Sequence, residues 1–121
     1  MAKHLLMLPY NHDRACDLIK AHRNELALVL IEPVQGSNPR DDVASLLHEI
    51  CDVSRENGIL FGFDEVITGG RLGLGGGQEY YGITADLATF GKTLGGGFPI
   101  GVLGINESLC GTVTGNGKRV G

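Results

Sequence analysis

Tryptophan is absent from the 121 residues of this sequence, and long apolar runs are absent as well. The longest apolar run, 26–31, has six residues, whereas a membrane-spanning helix needs about 20. The first residues also lack the profile of a secretory signal peptide. The sequence therefore gives no sign of a membrane-spanning protein, and we expect no membrane partner.

Clustered positive charge is missing too. Ten Lys and Arg residues are outnumbered by 14 Asp and Glu residues, and the formal net charge is −4. The basic residues are scattered along the chain, and the longest basic cluster is the pair Lys118 and Arg119. Because binding to a phosphate backbone needs a concentrated basic surface, we predict no nucleic-acid partner.

Cysteine is scarce, with three residues at Cys16, Cys51 and Cys110. An odd number at wide spacing excludes a fully paired disulfide framework, and no C-x-x-C metal motif occurs. The four histidines also lack the spacing of metal ligands. We therefore predict no metal site. We expect a reducing compartment, the cytoplasm, in which the cysteines are small buried apolar residues.

Glycine is nearly absent from the first half of the chain, where Gly36 is the one glycine before residue 58 and the other 19 of 20 follow. The first half therefore favours alternating strands and helices, and the second half favours short strands joined by glycine turns. Helical spacing predicts a helix over 13–24 with Asp13 as its N-cap. The continuous apolar run predicts a strand over 26–31 that is buried on both faces.

A second helix is predicted from Asp41 or Asp42 to the pair Asn57 and Gly58, where glycine favours a left-handed stop. The apolar residues of this helix recur at i, i+3, i+4 and i+7. They are Val43, Leu46, Leu47, Ile50 and Val53. A short apolar strand over 59–63 follows, so the order is strand, helix, strand, which indicates a β-α-β unit with parallel strands.

Two further strands are predicted over 87–90 and 100–103, with a short helical turn over 78–81. The predicted fold class is α/β. In open α/β sheets, ligands bind beyond the carboxyl ends of the strands. The residues at those ends are Glu32, Asp64, Gly91 and Lys92. We therefore expect the chemistry of this protein at that edge of the sheet.

The glycine-rich segments match phosphate-binding motifs only in part. The sequence Gly91-Lys92-Thr93 fits the end of the P-loop motif, but Asp86 stands where that motif needs its first glycine. The segment 69–77 does not fit the G-x-G-x-x-G fingerprint in any register. A phosphate- or nucleotide-binding module is a weaker alternative, and it would need a Mg²⁺-dependent ligand.

Lys92 lies between glycines at the end of a predicted strand, where small neighbours would let a planar ligand approach its amine. Asp64, at the end of the neighbouring strand, would pair with a protonated ring nitrogen, and Val66 would lie against the ring. An amine, a carboxylate and an apolar ring contact are what pyridoxal phosphate requires of a protein. For Lys92 taken alone, the alternative is a solvated loop lysine without a function.

Four segments, in this order, resemble class III aminotransferases. They are 9–11 (PYN), 30–36 (LIEPVQG), 63–71 (FDEVITGGR) and 86–101 (DLATFGKTLGGGFPIG). The resemblance covers about residues 9–104 and is nearest to the glutamate-1-semialdehyde 2,1-aminomutase branch. Ornithine- and GABA-type aminotransferases usually have Gln where Ile67 stands, and Glu where Ser37 stands. The resemblance implies the large domain of the fold type I pyridoxal-phosphate-dependent transferases, which has a mostly parallel sheet with flanking helices.

The resemblance also implies roles for individual residues. Lys92 would be the Schiff-base lysine and the general acid/base that moves protons at the reacting carbon. Asp64 would pair with the pyridine nitrogen, Val66 would pack on one ring face, and Glu32 would support the strand of Asp64. Thr112, in the segment 111–116 (GTVTGN), corresponds to a threonine that reaches the cofactor phosphate of the partner subunit.

Class III aminotransferases are several times longer than this chain, so residues 1–121 resemble part of the large domain, with 105–121 as a tail outside the resemblance. The turn that binds the cofactor phosphate lies upstream in the family. The resemblance implies a homodimer that acts on an amino acid or on an amino ketone or aldehyde. We predict pyridoxal-phosphate-dependent amino-group transfer, with this chain incomplete for catalysis alone. A non-catalytic remnant or interaction fragment of the same fold is the alternative.

Overall fold

The computed structural model describes residues 4–114. The helices are α1 (His12–Ala21), α2 (Ala44–Glu56), α3 (Gly76–Tyr81) and α4 (Cys110–Thr114), with one-turn 3₁₀ helices at Lys92–Gly95 and Glu107–Leu109. The strands are β1 (Leu28–Ile31), β2 (Leu60–Asp64), β3 (Leu87–Phe90) and β4 (Val102–Ile105). The predicted α/β class is confirmed.

Helix α1 begins one residue before its predicted start. Its N-cap is Asn11, whose side-chain oxygen accepts a hydrogen bond from the Arg14 N–H at 3.2 Å. The prediction of Asp13 as the cap was therefore wrong. Asp13 instead lies in the first turn, where its negative charge interacts favourably with the helix dipole. Asparagine and aspartate are both good N-caps, so residue type alone did not distinguish Asn11 from Asp13.

Helix α2 has the predicted apolar stripe. Four of its five members, Val43, Leu46, Leu47 and Ile50, are buried, and Val53 is half-buried. The helix begins later than predicted, at Ala44, and Gly58 follows it with φ +69°. The left-handed stop that the sequence predicted is confirmed at Gly58, because this conformation is easily reached only by glycine.

The four strands form one sheet in the order β1-β2-β3-β4. β1, β2 and β3 run parallel, whereas β4 is antiparallel to β3 and begins two residues later than predicted. The predicted β-α-β unit is therefore β1-α2-β2, and the mostly parallel sheet is confirmed. Since β2 and β3 are parallel neighbours, their carboxyl ends lie at the same edge of the sheet.

The hydrophobic core lies between one face of the sheet and the helices α1 and α2. Val29, Phe61 and Phe63 point into this core. On the opposite face, Leu30 is 48% exposed and Leu103 is 55% exposed. The prediction that the first strand is buried on both faces was therefore wrong for this chain. Residues 28–31 have one face in the core and one face that α1 and α2 do not cover. We call this uncovered face of the sheet, which carries Leu30 and Leu103, the open face.

The cysteines of the core agree with their predicted role. Cys16 and Cys51 are buried, and burial raises the pKa of both thiols. Cys110 is half-buried. Within residues 4–114, no helix is both long enough and apolar enough to cross a membrane.

Leu47 and Leu30 allow a test of which face carries the core. Leu47 is fully buried in the α2 stripe, so Leu47→Ala should lower the free energy of unfolding by about 2–5 kcal/mol. Leu30→Ala removes the same atoms from the open face, where Leu30 is 48% exposed, and should cost clearly less. Urea denaturation measures both values. Equal losses would show that the open face contributes as much to the core as the helical face.

Candidate active site

Asp64 is the last residue of β2 and lies on the open face at the carboxyl edge of the sheet. Its half-buried carboxylate accepts two hydrogen bonds on one oxygen, Oδ1. The backbone N–H of Val66 donates at 3.1 Å and the hydroxyl of Thr89 donates at 3.0 Å. None of residues 4–114 donates a hydrogen bond to the other oxygen, Oδ2. One side of the carboxylate is thus held by the protein, and the other is available to a further donor.

Lys92 lies two residues beyond the end of β3 and begins a one-turn 3₁₀ helix. Its side chain is exposed and makes no hydrogen bond or ion pair with the described residues. Its φ is +41°, and it is the one non-glycine residue in the described range with positive φ. Such a conformation costs a lysine about 1–3 kcal/mol, and backbone strain of this kind is concentrated at functional sites.

Val66 connects Asp64 to the residue before Lys92. Its backbone N–H binds the Asp64 carboxylate, as described above, and its side chain lies beside Gly91. A Cβ atom built on Gly91 would be 3.5 Å from Val66 Cγ1, in ordinary van der Waals contact. The structure therefore brings Asp64, Val66 and the backbone at Lys92 to one edge of the sheet, where the sequence predicted them.

Glu32 follows β1, the strand next to β2, but its hydrogen bonds go to Gly36 and Tyr10 and not to Asp64. Its Oε2 accepts the N–H of Gly36 at 3.2 Å, and its carbonyl oxygen accepts a hydrogen bond from the Tyr10 hydroxyl. Burial, together with the charge of Glu32, raises the pKa of Tyr10 to about 12. Glu32 orders the loop after β1 and makes no hydrogen bond to Asp64.

Thr112 is not brought to this edge. It lies exposed in α4, after β4, and β4 runs antiparallel to β3. The end of β4 is therefore beside the start of β3, at the opposite edge of the sheet from Lys92. No hydrogen bond among the described residues connects Thr112 to Asp64, Val66 or Lys92. A role for Thr112 in the site of a partner subunit stays a prediction.

Glu65 is a residue that sequence reasoning missed. It follows Asp64 directly and is 0% exposed. Its carboxylate accepts hydrogen bonds from the hydroxyl of Thr68 at 2.8 Å and from the N–H groups of Gly77 at 2.6 Å and Gln78 at 3.2 Å. No Lys or Arg in the described chain forms an ion pair with it. An acidic residue directly after Asp64 was visible in the sequence, but two of its three donors lie 12 and 13 positions away.

The glycine-rich segment around residue 76 is shaped by this carboxylate. Gly76 has φ +62°, and a Cβ atom at this position would collide with Glu65 Oε2. A Cβ atom on Gly77 would lie 2.7 Å from Pro33 Cγ. Part of the glycine-rich segment that fits no phosphate-binding motif thus has a structural cause, which is close packing against Glu65 and Pro33.

Comparison with known proteins decides the family. A sequence model described as aminotransferase class-III matches residues 8–118. The chain belongs to the class-III aminotransferase family. The match covers more of the chain than residues 9–104, over which the resemblance was predicted.

Individual class-III relatives agree with this assignment. The chain is 51% identical over 106 residues to a glutamate-1-semialdehyde 2,1-aminomutase of Methanococcus maripaludis strain C6, a match that covers 84% of this chain and 24% of the relative. The predicted nearness to this branch is thereby confirmed. The chain spans about a quarter of the length of the curated relatives it matches.

Solved structures of transaminases show the same fold. An omega-transaminase from Sphaerobacter thermophilus superposes with a TM-score of 0.79 at 37% identity, covering 89% of this chain and 25% of that chain. A structure described as a transaminase with PLP bound gives a TM-score of 0.71 at 27% identity, covering 82% of this chain and 24% of that chain. The sheet described above is therefore a part of the transaminase fold.

The role of Glu65 can be tested by removing its carboxylate. Glu65→Ala leaves three donors without their acceptor, at about 1–3 kcal/mol each when buried, so the free energy of unfolding should fall by about 3 kcal/mol or more. The control is Glu79→Ala, because exposed Glu79 accepts a single hydrogen bond from Gly75. It should cost less than about 1 kcal/mol. Similar losses in urea denaturation would contradict a central role for Glu65.

The packing at Gly76 can be separated from its backbone strain. Gly76→Ala places a methyl group against Glu65 at φ +62°, whereas Gly82→Ala has the same strain at φ +66° with nothing within 4 Å of the new Cβ atom. Strain alone should cost about 1–2 kcal/mol, and the collision should add about 1–3 kcal/mol at Gly76. Differential scanning calorimetry on both variants measures the difference. Equal melting temperatures would mean that the Glu65 carboxylate moves aside freely.

Proposed function

We propose that this chain supplies the lysine and the ring-nitrogen carboxylate of an enzyme that transfers amino groups with pyridoxal phosphate, either an aminotransferase or an aminomutase. The observation that carries the proposal is that Asp64 and Lys92 lie at the same edge of the sheet. One oxygen of Asp64 accepts two hydrogen bonds, and Lys92 has a strained backbone and forms no ion pair with the described residues. Class-III membership and the PLP-bound structural neighbour support it.

The described residues fit three parts of the cofactor. Asp64 Oδ2, which accepts no hydrogen bond from the described protein, is suited to a protonated pyridine nitrogen. The apolar side chain of Val66, beside Gly91, is suited to one face of the ring. The Lys92 amine, free of ion pairs with the described residues, is suited to the aldehyde carbon. The negative charge of Asp64 favours the protonated form of the ring nitrogen.

Lys92 and Asp64 have separate chemical tasks in this proposal. Lys92 would hold pyridoxal phosphate at its aldehyde carbon through Nζ. As a free amine, Nζ would be the acid/base that moves a proton between the substrate carbon and the cofactor carbon C4′. Asp64 would keep the ring nitrogen protonated. When bound, pyridoxal phosphate supplies an electron-accepting ring that stabilises negative charge on the substrate carbon.

The wider setting follows from the family. We infer that residues 1–121 form part of the cofactor-binding large domain of a homodimer, with Thr112 directed at the cofactor phosphate of the partner subunit. Its position at the far edge of its own sheet agrees with a contact in another copy. The substrate class is an amino acid or an amino ketone or aldehyde. The cytoplasm is the proposed compartment, because Cys16 and Cys51 carry free thiols.

Covalent trapping tests the proposal. After incubation with pyridoxal phosphate and reduction with borohydride, peptide mapping by mass spectrometry should find the cofactor attached to Lys92. Lys92→Ala should abolish this label, whereas Lys20→Ala should retain it, because Lys20 is an exposed lysine on α1 far along the chain from the site. Asp64→Asn should weaken cofactor binding, since an amide lacks the charge that holds the ring proton.

Two outcomes would contradict the proposal. Label distributed over Lys20 and other exposed lysines as heavily as over Lys92 would show that no cofactor site is formed. A chain that gives no label at all would favour the alternative of a non-catalytic fragment of this fold.

A further inference from the structure

We infer that Thr89 is a positioning residue that fixes the carboxylate of Asp64 so that Oδ2 faces the ring nitrogen of the cofactor. The inference rests on the proposed function, because it assigns the partner of Oδ2 to a ring nitrogen. Thr89 had no predicted role in the sequence analysis. The hydrogen bond between Thr89 Oγ1 and Asp64 Oδ1, at 3.0 Å, carries it.

The sheet register places the two side chains together. Asp64 in β2 is the direct partner of Thr89 in β3, so both side chains leave the same face of the sheet at neighbouring positions. A threonine hydroxyl on β3 therefore reaches the carboxylate on β2 without a change in either backbone. β-branched threonine is also well suited to a strand, and it has few side-chain conformations.

The rotation of the carboxylate is what this bond controls. The terminal torsion of an aspartate side chain has a broad, shallow energy profile, so a carboxylate without partners turns easily. Two donors on Oδ1, from Val66 and Thr89, fix that torsion and with it the direction of Oδ2. Val66 is two residues from Asp64 on the same chain segment and moves with it. Thr89 is the donor that fixes the carboxylate relative to another strand.

Thr89 also connects the segment of Asp64, on β2, with the segment of Lys92, which follows β3. Its carbonyl oxygen accepts the N–H of Glu65 at 2.8 Å, so Thr89 binds the side chain of Asp64 and the backbone that follows it. Three residues further along its own strand and turn lies Lys92. Thr89 thus holds the carboxylate at a fixed place relative to the lysine, which a simple packing residue would not do.

The experiment compares two cofactors on three forms of the chain. Thr89→Val keeps the β-branched shape and removes the hydroxyl, and Thr89→Ser keeps the hydroxyl. The probes are pyridoxal phosphate and its deaza analogue, in which a CH group replaces the pyridine nitrogen. Dissociation constants are measured by fluorescence titration.

Thr89→Val should weaken binding of pyridoxal phosphate about tenfold or more, because a hydrogen bond to a charged acceptor is lost. It should leave binding of the deaza analogue unchanged, because this ligand cannot use Oδ2. Thr89→Ser should bind both ligands as the unsubstituted chain does. An equal loss for both ligands would mean that Thr89 acts on the general structure and would overturn the inference, as would no loss for either.

A cofactor-free measurement separates this inference from the proposed function. In a double-mutant cycle of Thr89→Val and Asp64→Ala, the losses of unfolding free energy should be non-additive, because both changes remove the same bond. Additive losses would overturn the inference whatever the cofactor does. If the unsubstituted chain binds neither ligand, the proposed function is overturned for this chain, and the assignment of Oδ2 to a ring nitrogen is overturned with it.

Discussion

The parallel pairing of β2 with β3 is the constraint on which the arrangement of this protein depends. Phe63 of β2 pairs with Ala88 of β3 on the helical face, and Asp64 pairs with Thr89 on the open face. Burial of Phe61 and Phe63 against the helices fixes the register, because a shift of one residue would turn both rings out of the core. That register determines which hydroxyl meets the Asp64 carboxylate and how far Lys92 lies from it.

Glu65 connects the end of β2 to the glycine-rich segment through hydrogen bonds from Gly77 and Gln78. A buried carboxylate without a cationic partner is costly unless its oxygens are filled by hydrogen-bond donors, and here three donors fill them. Asp64 and Glu65 are adjacent in the sequence and have opposite roles. One oxygen of Asp64 accepts no hydrogen bond from residues 4–114, whereas both oxygens of Glu65 accept hydrogen bonds and connect the end of β2 to Gly77 and Gln78.

The fold, and the position of Asp64 and Lys92 at one edge of the sheet, could be predicted from the sequence in large part. The apolar stripe of α2 and the glycine after it predicted the β-α-β unit, and the position of polar residues after strands predicted the edge with Asp64 and Lys92. The N-cap of α1 was missed locally, because asparagine and aspartate are both good caps. The other failures depend on contacts between distant residues. Gly77 and Gln78 donate to Glu65 across 12 and 13 positions, and Thr89 donates to Asp64 across 25. The one-sided burial of β1 depends on which helices cover the sheet. Local spacing does not contain this information.

The backbone of Lys92 implies a trade-off between folding and chemistry. At φ +41° a glycine or asparagine would be held with less strain than a lysine. The residue proposed to attach the cofactor is thus one that the turn itself does not favour. In a chain that did not need the amine, a substitution of Lys92 by glycine or asparagine would raise the stability of the fold. Under the proposed function, replacement of Lys92 by glycine would relieve this backbone strain and remove the amine that holds the cofactor.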